Sequence, residues 1–311
     1  MTEIEPLSES GGSGGRRCAL VAILGATNAG KSTLVNRMTG AKVSIVTPKA
    51  QTTRFRVRGL AIAGQSQLVL VDTPGIFSPR RSLDRVMVQA AWAALQDADA
   101  IVVVYDAQRA KPDPHTLEIL TTLEGAKQKA LVVLNKVDLV AKPALMPLAQ
   151  RFTESPAVAE VFMVSAETGS GVQDLTKALA AAAPVGPWLF PEDEASDLPA
   201  RMLAAEITRE KLFLNLHEEI PYGLMVETET WEDFANGDVK ITQLVSVARE
   251  GHRGIAIGSQ GRTIAAVRRQ AQRDLEEILG RKVHLFITVR VDARWSEDPA
   301  RLRLLGLDLP G

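Results

Sequence analysis

The stretch that decides the fold is GATNAGKS, from Gly25 to Ser32, which directly follows the apolar run CALVAIL at 18–24. The pattern Gly-x-x-x-x-Gly-Lys-Ser between a strand and a helix is typical of a phosphate-binding loop. Glycine torsions let several backbone N–H groups point at one anion, and the start of the helix adds partial positive charge. Lys31 would then reach the terminal phosphates of a nucleotide, and the Ser32 hydroxyl would hold Mg²⁺. The alternative is a small-residue turn that binds nothing, so other motifs must decide.

Short apolar runs alternate with helical patterns up to residue 183. They predict a mostly parallel sheet with helices on both faces, hence an α/β domain over 18–183. The predicted strands are 18–24, 56–63, 67–72, 100–106, 130–135 and 160–165. Only the residues GQS separate the cores of the second and third strands. These two strands should therefore form an antiparallel hairpin at one edge of the sheet.

A second, smaller domain follows a proline-rich linker at 184–200, where four prolines exclude a helix or a central strand. The predicted order after the linker is helix 201–217, strands 223–230 and 239–249, a glycine-punctuated turn, helix 262–279 and strand 283–291. This order predicts a small α+β domain over 201–295 and a C-terminal tail over 296–311. Residues 1–17 are acidic and then rich in Gly and Ser, which predicts a disordered tail.

The composition is that of an ordinary globular protein of 311 residues, with 46% apolar residues, 23% charged residues and a net charge of −1. This balance excludes a uniformly basic surface but leaves room for a local basic patch. The single cysteine, Cys18, cannot form an internal disulfide and fits a reducing compartment. No apolar run reaches the roughly 20 residues that span a bilayer. We therefore expect a cytoplasmic protein.

Three further motifs begin where predicted strands end, at the edge of the sheet where open α/β folds bind ligands. They are DTPG (72–75), NKVD (135–138) and SAETG (165–169). Asp72 can hold Mg²⁺, most simply through water, and the Gly75 N–H can meet a γ-phosphate. Each motif alone is equally compatible with a polar turn. The four motifs in this order favour a nucleotide site.

The NKVD motif predicts which base the site prefers. The Asp138 carboxylate can accept hydrogen bonds from the ring N–H and the exocyclic amine of guanine together, and adenine offers no such donor pair. Asn135 can brace the loop and contact the ring, and the stem of Lys136 can lie over the purine. In the SAETG turn, the Ala166 N–H could bind the guanine carbonyl, whereas Ser165 alone is equally well explained as a turn cap.

This ordered set resembles the translation-factor-like family of GTPases over residues 18–183. The resemblance implies binding of GTP or GDP with Mg²⁺ and hydrolysis of GTP. It implies nucleotide-binding roles for Gly25, Asn28, Ala29, Gly30, Lys31, Ser32, Thr33, Asp72, Gly75, Asn135, Lys136, Asp138, Ser165 and Ala166. It also makes TPKAQTTRFR (47–56) the first switch, with Thr53 as its Mg²⁺-binding threonine and Thr52 as the alternative. The metal-binding set is then Ser32, Thr53 and Asp72, and the catalytic set is Lys31, Thr53 and Gly75.

Two positions bear on the hydrolysis rate. Many GTPases place a glutamine that orients the attacking water where this chain has Ile76, which can neither donate nor accept a hydrogen bond. Intrinsic hydrolysis should therefore be slow, with Lys31, Mg²⁺ and backbone donors stabilising the developing charge. In related bacterial enzymes an asparagine at the position of Asn28 can ligate K⁺ beside the phosphates. The alternative is a loop asparagine that only satisfies backbone groups.

The second domain carries the tetrad Gly258-Ser259-Gln260-Gly261 before its long helix. A Gly-x-x-Gly loop lets a nucleic-acid backbone approach closely. On the helix, Arg262, Arg269 and Arg273 fall opposite the apolar positions. Residues 249–273 contain six arginines and one acid, whereas residues 218–238 contain seven acids and no lysine or arginine. The basic pole coincides with the tetrad and predicts an RNA site; the alternative is a plain turn beside a solvated helix face.

The order helix, two strands, Gly-x-x-Gly between helices, strand resembles the type II KH RNA-binding domain. From about residue 18 to 295 the chain resembles the Era family of bacterial ribosome-assembly GTPases. The matching motifs are GATNAGKSTLVN, KAQTTR, DTPGIF, NKVD, SAETG, REKLF, EEIPY and AIGSQG. The chain departs from many relatives at Thr27, where they have Pro, and at Ser259-Gln260, where they often carry a lysine.

The resemblance implies a protein that binds the 3′ end of 16S rRNA in its GTP state and helps to mature the small ribosomal subunit. It also implies a monomer with peripheral contact at the inner membrane. A regulatory GTPase that acts on a protein partner without binding RNA is the alternative. A tRNA-modifying GTPase would need a C-terminal catalytic cysteine, and the only cysteine here is Cys18.

Overall fold

The computed structural model describes residues 15–79, 81–304 and 307. The predicted disordered tail at 1–17 lies outside the described residues up to residue 14. Its last residue, Arg17, already belongs to the first strand and donates to the Ala183 carbonyl oxygen at 2.7 Å. In the described part of the chain, no helix combines the length and the apolar character needed to cross a membrane.

Six strands form the first sheet, in the order β2-β3-β1-β4-β5-β6. Their bounds are β1 Arg17–Leu24, β2 Val57–Ala63, β3 Ser66–Asp72, β4 Ala100–Asp106, β5 Ala130–Asn135 and β6 Val158–Met163. Only the β2–β3 pair is antiparallel in this sheet as described, so the predicted edge hairpin is confirmed. The predicted α/β fold class is confirmed as well.

Helices cover both faces of this sheet because alternate strand residues point to opposite sides. In β4, Ile101, Val103 and Tyr105 belong to one apolar core, whereas Val102 and Val104 belong to the other. The helices are α1 Lys31–Thr39, α2 Ser82–Ala93, α3 Pro114–Gly125, α4 Lys142–Thr153 and α5 Val172–Ala182. Since β1, β3, β5 and β6 run parallel, the four motifs that follow them meet at one edge of the sheet.

The second sheet has the order β7-β8-β9, with β7 and β8 antiparallel and β8 and β9 parallel. The bounds are α6 Ala200–Asn215, β7 Leu224–Asp233, β8 Val239–Val247, α7 Glu250–Ile257, α8 Arg262–Leu279 and β9 Val283–Val291. The glycine-punctuated turn predicted before α8 is largely helix α7, in agreement with the KH order that places Gly-x-x-Gly between helices. Gly251 and Gly254 weaken the helical signal, but burial of His252 and Ala256, one turn apart, favours the helix.

The chain ends differ from the sequence-based expectation. The linker contains no regular element before Ala200, yet it follows the edge strand: the Leu60 N–H donates to the Ala195 carbonyl oxygen at 2.9 Å. The described part of the predicted tail contains a further helix, α9 Pro299–Leu304. Leu302 and Leu307, like Trp295 just before the predicted tail, are buried against residues of the first domain, so the described part of this segment packs against the fold. Sequence reasoning missed it because the segment is short and follows no clear periodic pattern.

Candidate functional site

The phosphate loop is shaped by two glycines that no other residue could replace. Gly25 has φ of +145°, and a Cβ there would lie 2.2 Å from the Val104 carbonyl oxygen. Gly30 has φ of +93°, and its Cβ would lie 2.2 Å from Asn135 Nδ2. Helix α1 begins at Lys31 with no side-chain cap, which leaves its first-turn N–H groups for an anion. The buried Ala29 and the half-buried Thr33 lie on either side of this turn.

Lys31 lies buried beneath the loop. Its Nζ donates to the carbonyl oxygens of Gly25 at 3.2 Å and Ala26 at 2.9 Å. Burial lowers the pKa of Lys31 to about 8, and the Asp72 carboxylate opposes that shift. A phosphate group in the loop would supply the negative charge that this ammonium lacks.

The three predicted metal-binding residues meet around one carboxylate oxygen. The Ser32 hydroxyl donates to Asp72 Oδ2 at 2.7 Å, the Thr53 hydroxyl donates to the same oxygen at 3.3 Å, and the two hydroxyls lie 2.8 Å apart. The Thr52 hydroxyl turns away, 2.7 Å from Thr47 Oγ1 and 2.9 Å from the Lys49 carbonyl oxygen. The geometry therefore favours Thr53 over Thr52.

The residues present fit a Mg²⁺ ion. Asp72 is fully buried, and its Oδ1 has no hydrogen-bond partner among the described residues. Burial raises the pKa of Asp72, and the hydrogen bond from Ser32 opposes this shift. A hard cation would relieve the cost of a buried carboxylate, and hydroxyl and carboxylate oxygens are the ligands that Mg²⁺ takes.

Asn135 ties two loops together. Its Nδ2 donates to the Ala29 carbonyl oxygen at 2.9 Å, and its Oδ1 accepts from the Ala166 N–H at 2.9 Å. This N–H was expected to meet the guanine carbonyl, but here it is already used by Asn135. The buried Ser165 hydroxyl accepts from the Thr168 N–H at 3.1 Å, so its contact lies within its own turn, as the cap alternative holds.

The two residues predicted to contact the base, Lys136 and Asp138, differ in their own contacts. Lys136 has φ of +64°, and its Nζ pairs with Asp106 Oδ2 at 2.6 Å, which fixes the direction of its stem. Asp138 is exposed, and its carboxylate has no hydrogen-bond partner in the described part of the chain. That carboxylate is therefore available to a base.

A cavity of about 380 Å³ connects these elements. It is lined by the phosphate loop, the first switch, Gly75 and Lys136. Asn28 spans the mouth: its φ is +64°, and its Nδ2 donates to the Pro48 carbonyl oxygen of the first switch at 3.1 Å. Gly75 lies close to Thr27, since a Cβ there would be 2.7 Å from Thr27 Cγ2. The Ile76 side chain is buried in the apolar core and points away from the cavity.

The Gly-x-x-Gly loop, residues 258–261, lies directly before helix α8 in the second domain. Gly258 has φ of +74°, and a Cβ there would be 2.2 Å from Thr263 Oγ1; Gly261 has φ of +73°. Ser259 and Gln260 between them are exposed. Helix α8 starts at Arg262 without a side-chain cap, so its first-turn N–H groups face the loop.

The predicted faces of α8 are observed. Val267, Ala271 and Leu275 are buried, whereas Arg262, Arg269 and Arg273 are exposed. Arg269 and Arg273 form no ion pair or hydrogen bond with the described residues, and Arg262 contacts only the nearby Ser259 carbonyl oxygen, at 3.3 Å. Among the described residues, none of these arginines lines the nucleotide cavity.

Sequence reasoning missed a set of contacts that join residues 46–54, in and just before the first switch, to helix α6 and the start of β7 in the second domain. They involve Lys49, Arg54, Arg209 and Glu210. The signal was present in REKLF (209–213), where two charged residues occupy positions that the helix buries. A buried ion in a helix has to find a partner, and the switch loop provides it.

Two family models match the chain. One, described as 50S ribosome-binding GTPase, matches residues 20–136, and one described as KH domain matches residues 219–296. Several curated relatives are similar over almost their full length. GTPase Era of Afipia carboxidovorans is 52% identical over 94% of this chain and 95% of its own, and GTPase Era of Brucella suis is 51% identical over 94% of each.

Solved structures agree with these relatives. A structure of Era in complex with MgGDPNP and nucleotides 1506–1542 of 16S ribosomal RNA is 36% identical, with a TM-score of 0.89 over 94% of this chain and 100% of that chain. A variant of Aquifex aeolicus Era bound to GDP.AlF4- is also 36% identical, with a TM-score of 0.88 at the same coverage. The motifs at one sheet edge, the Gly-x-x-Gly loop and these similarities lead to one conclusion: the chain belongs to the Era family of GTPases.

Proposed function

We propose that this GTPase binds the 3′ end of 16S rRNA through its KH domain, in a cycle set by GTP and GDP, and thereby assists maturation of the small ribosomal subunit. One observation carries the proposal: the exposed Gly-x-x-Gly loop lies at the start of a helix whose exposed arginines have no acidic partner among the described residues. The relative solved with nucleotides 1506–1542 of 16S rRNA supports the choice of RNA.

Two features of the basic face suit a single-stranded RNA backbone. The uncapped start of α8 offers N–H groups to a phosphate, and the glycines let the sugar-phosphate chain approach closely. Asp274, the acid nearest to Arg273, does not cancel that charge on the exposed face, because it pairs with Lys42 at 3.0 Å and Lys211 at 2.5 Å.

We assign the nucleotide roles to the residues that meet at the sheet edge. The first-turn N–H groups of α1 and Lys31 hold the phosphates, and Asp138 selects guanine. Ser32, Thr53 and Asp72 hold Mg²⁺, which would offset negative charge on the phosphates. The Ala166 N–H can serve the guanine carbonyl only if it shares or leaves Asn135 Oδ1.

We assign the catalysis of GTP hydrolysis mainly to stabilisation of the negative charge that develops in the transition state. Lys31, Thr53 and Gly75 line one cavity and would contact the terminal phosphate there, whereas the buried Ile76 cannot orient water. Turnover by the protein alone is therefore slow. Asn28 is assigned to K⁺: its Nδ2 already donates to the Pro48 carbonyl oxygen, and its Oδ1 accepts no hydrogen bond from the described residues.

The remaining assignments depend on the family resemblance. The proposed limits are 18–183 for the GTPase domain, 184–200 for the linker and 201–295 for the KH domain. Work on ribosomal subunits would place the protein in the cytoplasm as a monomer, with peripheral contact at the inner membrane expected from the resemblance alone.

The RNA role is tested by placing charge in the loop without changing its shape. Ser259→Asp with Gln260→Asp keeps both glycines, and aspartate tolerates the left-handed backbone of Gln260, whose φ is +53°. The matched control, Ser259→Asn with Gln260→Asn, has the same size and no charge. Filter binding with the 3′ end of 16S rRNA should show loss of binding for the aspartate pair and near-normal binding for the asparagine pair.

Both variants should bind GTP normally, which shows that they are folded. Equal RNA affinity of the aspartate variant and wild type at the same salt concentration would remove the loop from the RNA site. If wild type holds no RNA in either nucleotide state, the chain acts instead as a regulatory GTPase on a protein partner.

A further inference from the structure

The first switch is held from two sides at consecutive residues. On one side, the Thr53 hydroxyl lies with Ser32 and Asp72 at the proposed Mg²⁺ site. On the other side, the carbonyl oxygen of Thr52 accepts a 2.5 Å hydrogen bond from Arg209 Nη2, on helix α6. The Thr52 carbonyl belongs to the peptide group that joins Thr52 to Thr53. A hydrogen bond that holds this carbonyl therefore restricts the directions that the Thr53 side chain can take.

Arg209 is rigid enough to serve as that fixed point. The side chain is almost fully buried, and its Nε donates to Glu206 Oε1 at 2.7 Å. Its guanidinium lies 5.2 Å from the centroid of the Phe213 ring. A planar guanidinium held by a carboxylate and an aromatic ring has little freedom left to lose when it binds a carbonyl.

A contribution to folding stability does not by itself explain why position 209 is an arginine. Its Nη1 is buried and has no hydrogen-bond partner among the described residues. Apolar residues of similar volume often replace a buried ion pair without loss of stability. An incompletely satisfied cation at this position therefore suggests that its contact with the switch matters.

Other contacts fasten the same segment to the second domain. The Val46 N–H donates to Glu210 Oε1 at 2.9 Å, and Lys49 Nζ donates to the Phe213 carbonyl oxygen near the end of α6. Arg54, directly after Thr53, donates to the Leu224 carbonyl oxygen at 2.5 Å. Thr53 is thus flanked on both sides by residues that the KH domain holds.

We propose that Arg209 is a positioning residue for GTP hydrolysis, by which the KH domain completes the Mg²⁺ site of the GTPase domain within one chain. Arg209 is not among the described residues that line the nucleotide cavity; it orients Thr53 through the Thr52 carbonyl. The proposal rests on the proposed role of Thr53. A ligand's outer hydrogen-bond partner typically changes metal affinity or activity by about 10–100-fold when it is lost.

The test uses the full-length protein with Glu206→Gln and Arg209→Met together, which removes the donor without leaving a carboxylate unpaired. We expect GTP turnover to fall by about 10–100-fold and the Mg²⁺ concentration for half-maximal turnover to rise. Affinity for a non-hydrolysable GTP analogue with Mg²⁺ should also fall. GDP affinity should stay unchanged, which also shows that the variant is folded.

The matched control is Arg201→Met, on the same helix, whose guanidinium donates, within the described part of the chain, only to carbonyl oxygens of its own domain, Thr228 at 3.1 Å and Glu229 at 2.7 Å. This variant should match wild type in every readout. Arg209→Lys keeps a charged donor and should fall between wild type and the double variant. If the double variant does not fold, Arg209→Lys alone decides, and an unchanged Mg²⁺ requirement in it overturns the proposal.

A mutant cycle separates this proposal from the role of Thr53. In a Thr53→Ala background, the loss of Arg209 should cause no further loss of Mg²⁺-dependent affinity for the analogue. Full additivity of the two changes would contradict positioning through Thr53. If Thr53→Ala alone leaves that affinity unchanged, the proposed metal role of Thr53 is wrong, independently of Arg209.

Discussion

Around the phosphate loop, the predicted residues contact one another, whereas on the exposed face of helix α8 they stand apart. Ser32, Thr53 and Asp72 share one buried carboxylate oxygen, and Asn135 bridges two loops. On α8, the exposed arginines Arg269 and Arg273 have no charged partner in the described part of the chain. The contacts around the phosphate loop form a network in which loss of one residue disturbs the others. The exposed arginines of α8 are a set of independent charges.

This difference sets the expected response to mutation. In a network, each residue orients the others, so a single change removes the function of several residues. On an exposed charged face, each residue adds a similar, salt-dependent contribution to binding. Nucleotide-site variants should therefore show large effects that do not add, and RNA-face variants should show small effects that do.

The largest effect is expected at Asp138. Asp138→Asn should weaken GTP binding by about 10⁴-fold, because a site built around hydrogen bonds rejects a mismatched partner strongly. The amide can donate to the oxygen that xanthine carries in place of the guanine amine, so affinity for xanthosine triphosphate should rise. Competition binding of the two nucleotides measures both changes. Unchanged GTP affinity would remove Asp138 from base selection.

Nucleotide affinity should depend on pH through Lys31. Burial lowers the pKa of Lys31 in the free protein to about 8. Above this pKa, the affinity should fall by up to about tenfold per pH unit. The sign follows from protonation: a bound phosphate needs the ammonium, so above that pKa binding must take up a proton. Titration of GDP from about pH 7 to about pH 9.5 measures the slope. Lys31→Arg should bind more weakly but without this slope, since a guanidinium keeps its proton. A flat wild-type profile would contradict the assignment.

Replacing KCl by NaCl at equal ionic strength should slow GTP hydrolysis by roughly tenfold, because a cation beside the phosphates stabilises charge in the transition state. Asn28→Ala should abolish the difference between the two salts. Asn28→Asp is the matched control: it keeps an oxygen for K⁺ and loses the amide that holds the Pro48 carbonyl. A wild-type rate that ignores the cation would leave Asn28 as a brace between the phosphate loop and the switch.

The smallest effects are expected on α8. Each of Arg262→Gln, Arg269→Gln and Arg273→Gln should lower the salt slope of RNA binding by about 0.7 and weaken binding of all RNA sequences alike. The three changes together should add. Arg201→Gln, on another helix of the same domain, should leave the slope unchanged. A strongly non-additive triple variant would mean that these arginines act as a network too.

Much of this architecture was predictable because its signals are local. The strand ends, the phosphate loop and the apolar face of α8 each follow from a short pattern, and the glycines at 25, 30 and 258 stand where the backbone admits no side chain. The choice of Thr53 over Thr52 also agrees with the observed hydrogen bonds.

The remainder depends on contacts between segments far apart in the chain, which local patterns do not encode. Burial of His252 and Ala256 makes α7 a helix despite two glycines, and Leu302 and Leu307 are buried against the first domain. Asn135 uses the Ala166 N–H, and Arg209 holds a loop 157 residues earlier. No spacing in the sequence indicates these pairings.

In the proposed function, the nucleotide state of the GTPase domain controls binding of the 16S rRNA 3′ end by the KH domain. Crosslinking of the purified protein to total RNA, with a GTP analogue or with GDP, followed by mapping of the sites, tests it directly. We expect crosslinks concentrated at the 3′ end of 16S rRNA, stronger with the GTP analogue, and absent in the variant with Ser259→Asp and Gln260→Asp. Crosslinks spread over unrelated RNAs, or equal in both nucleotide states, would contradict it.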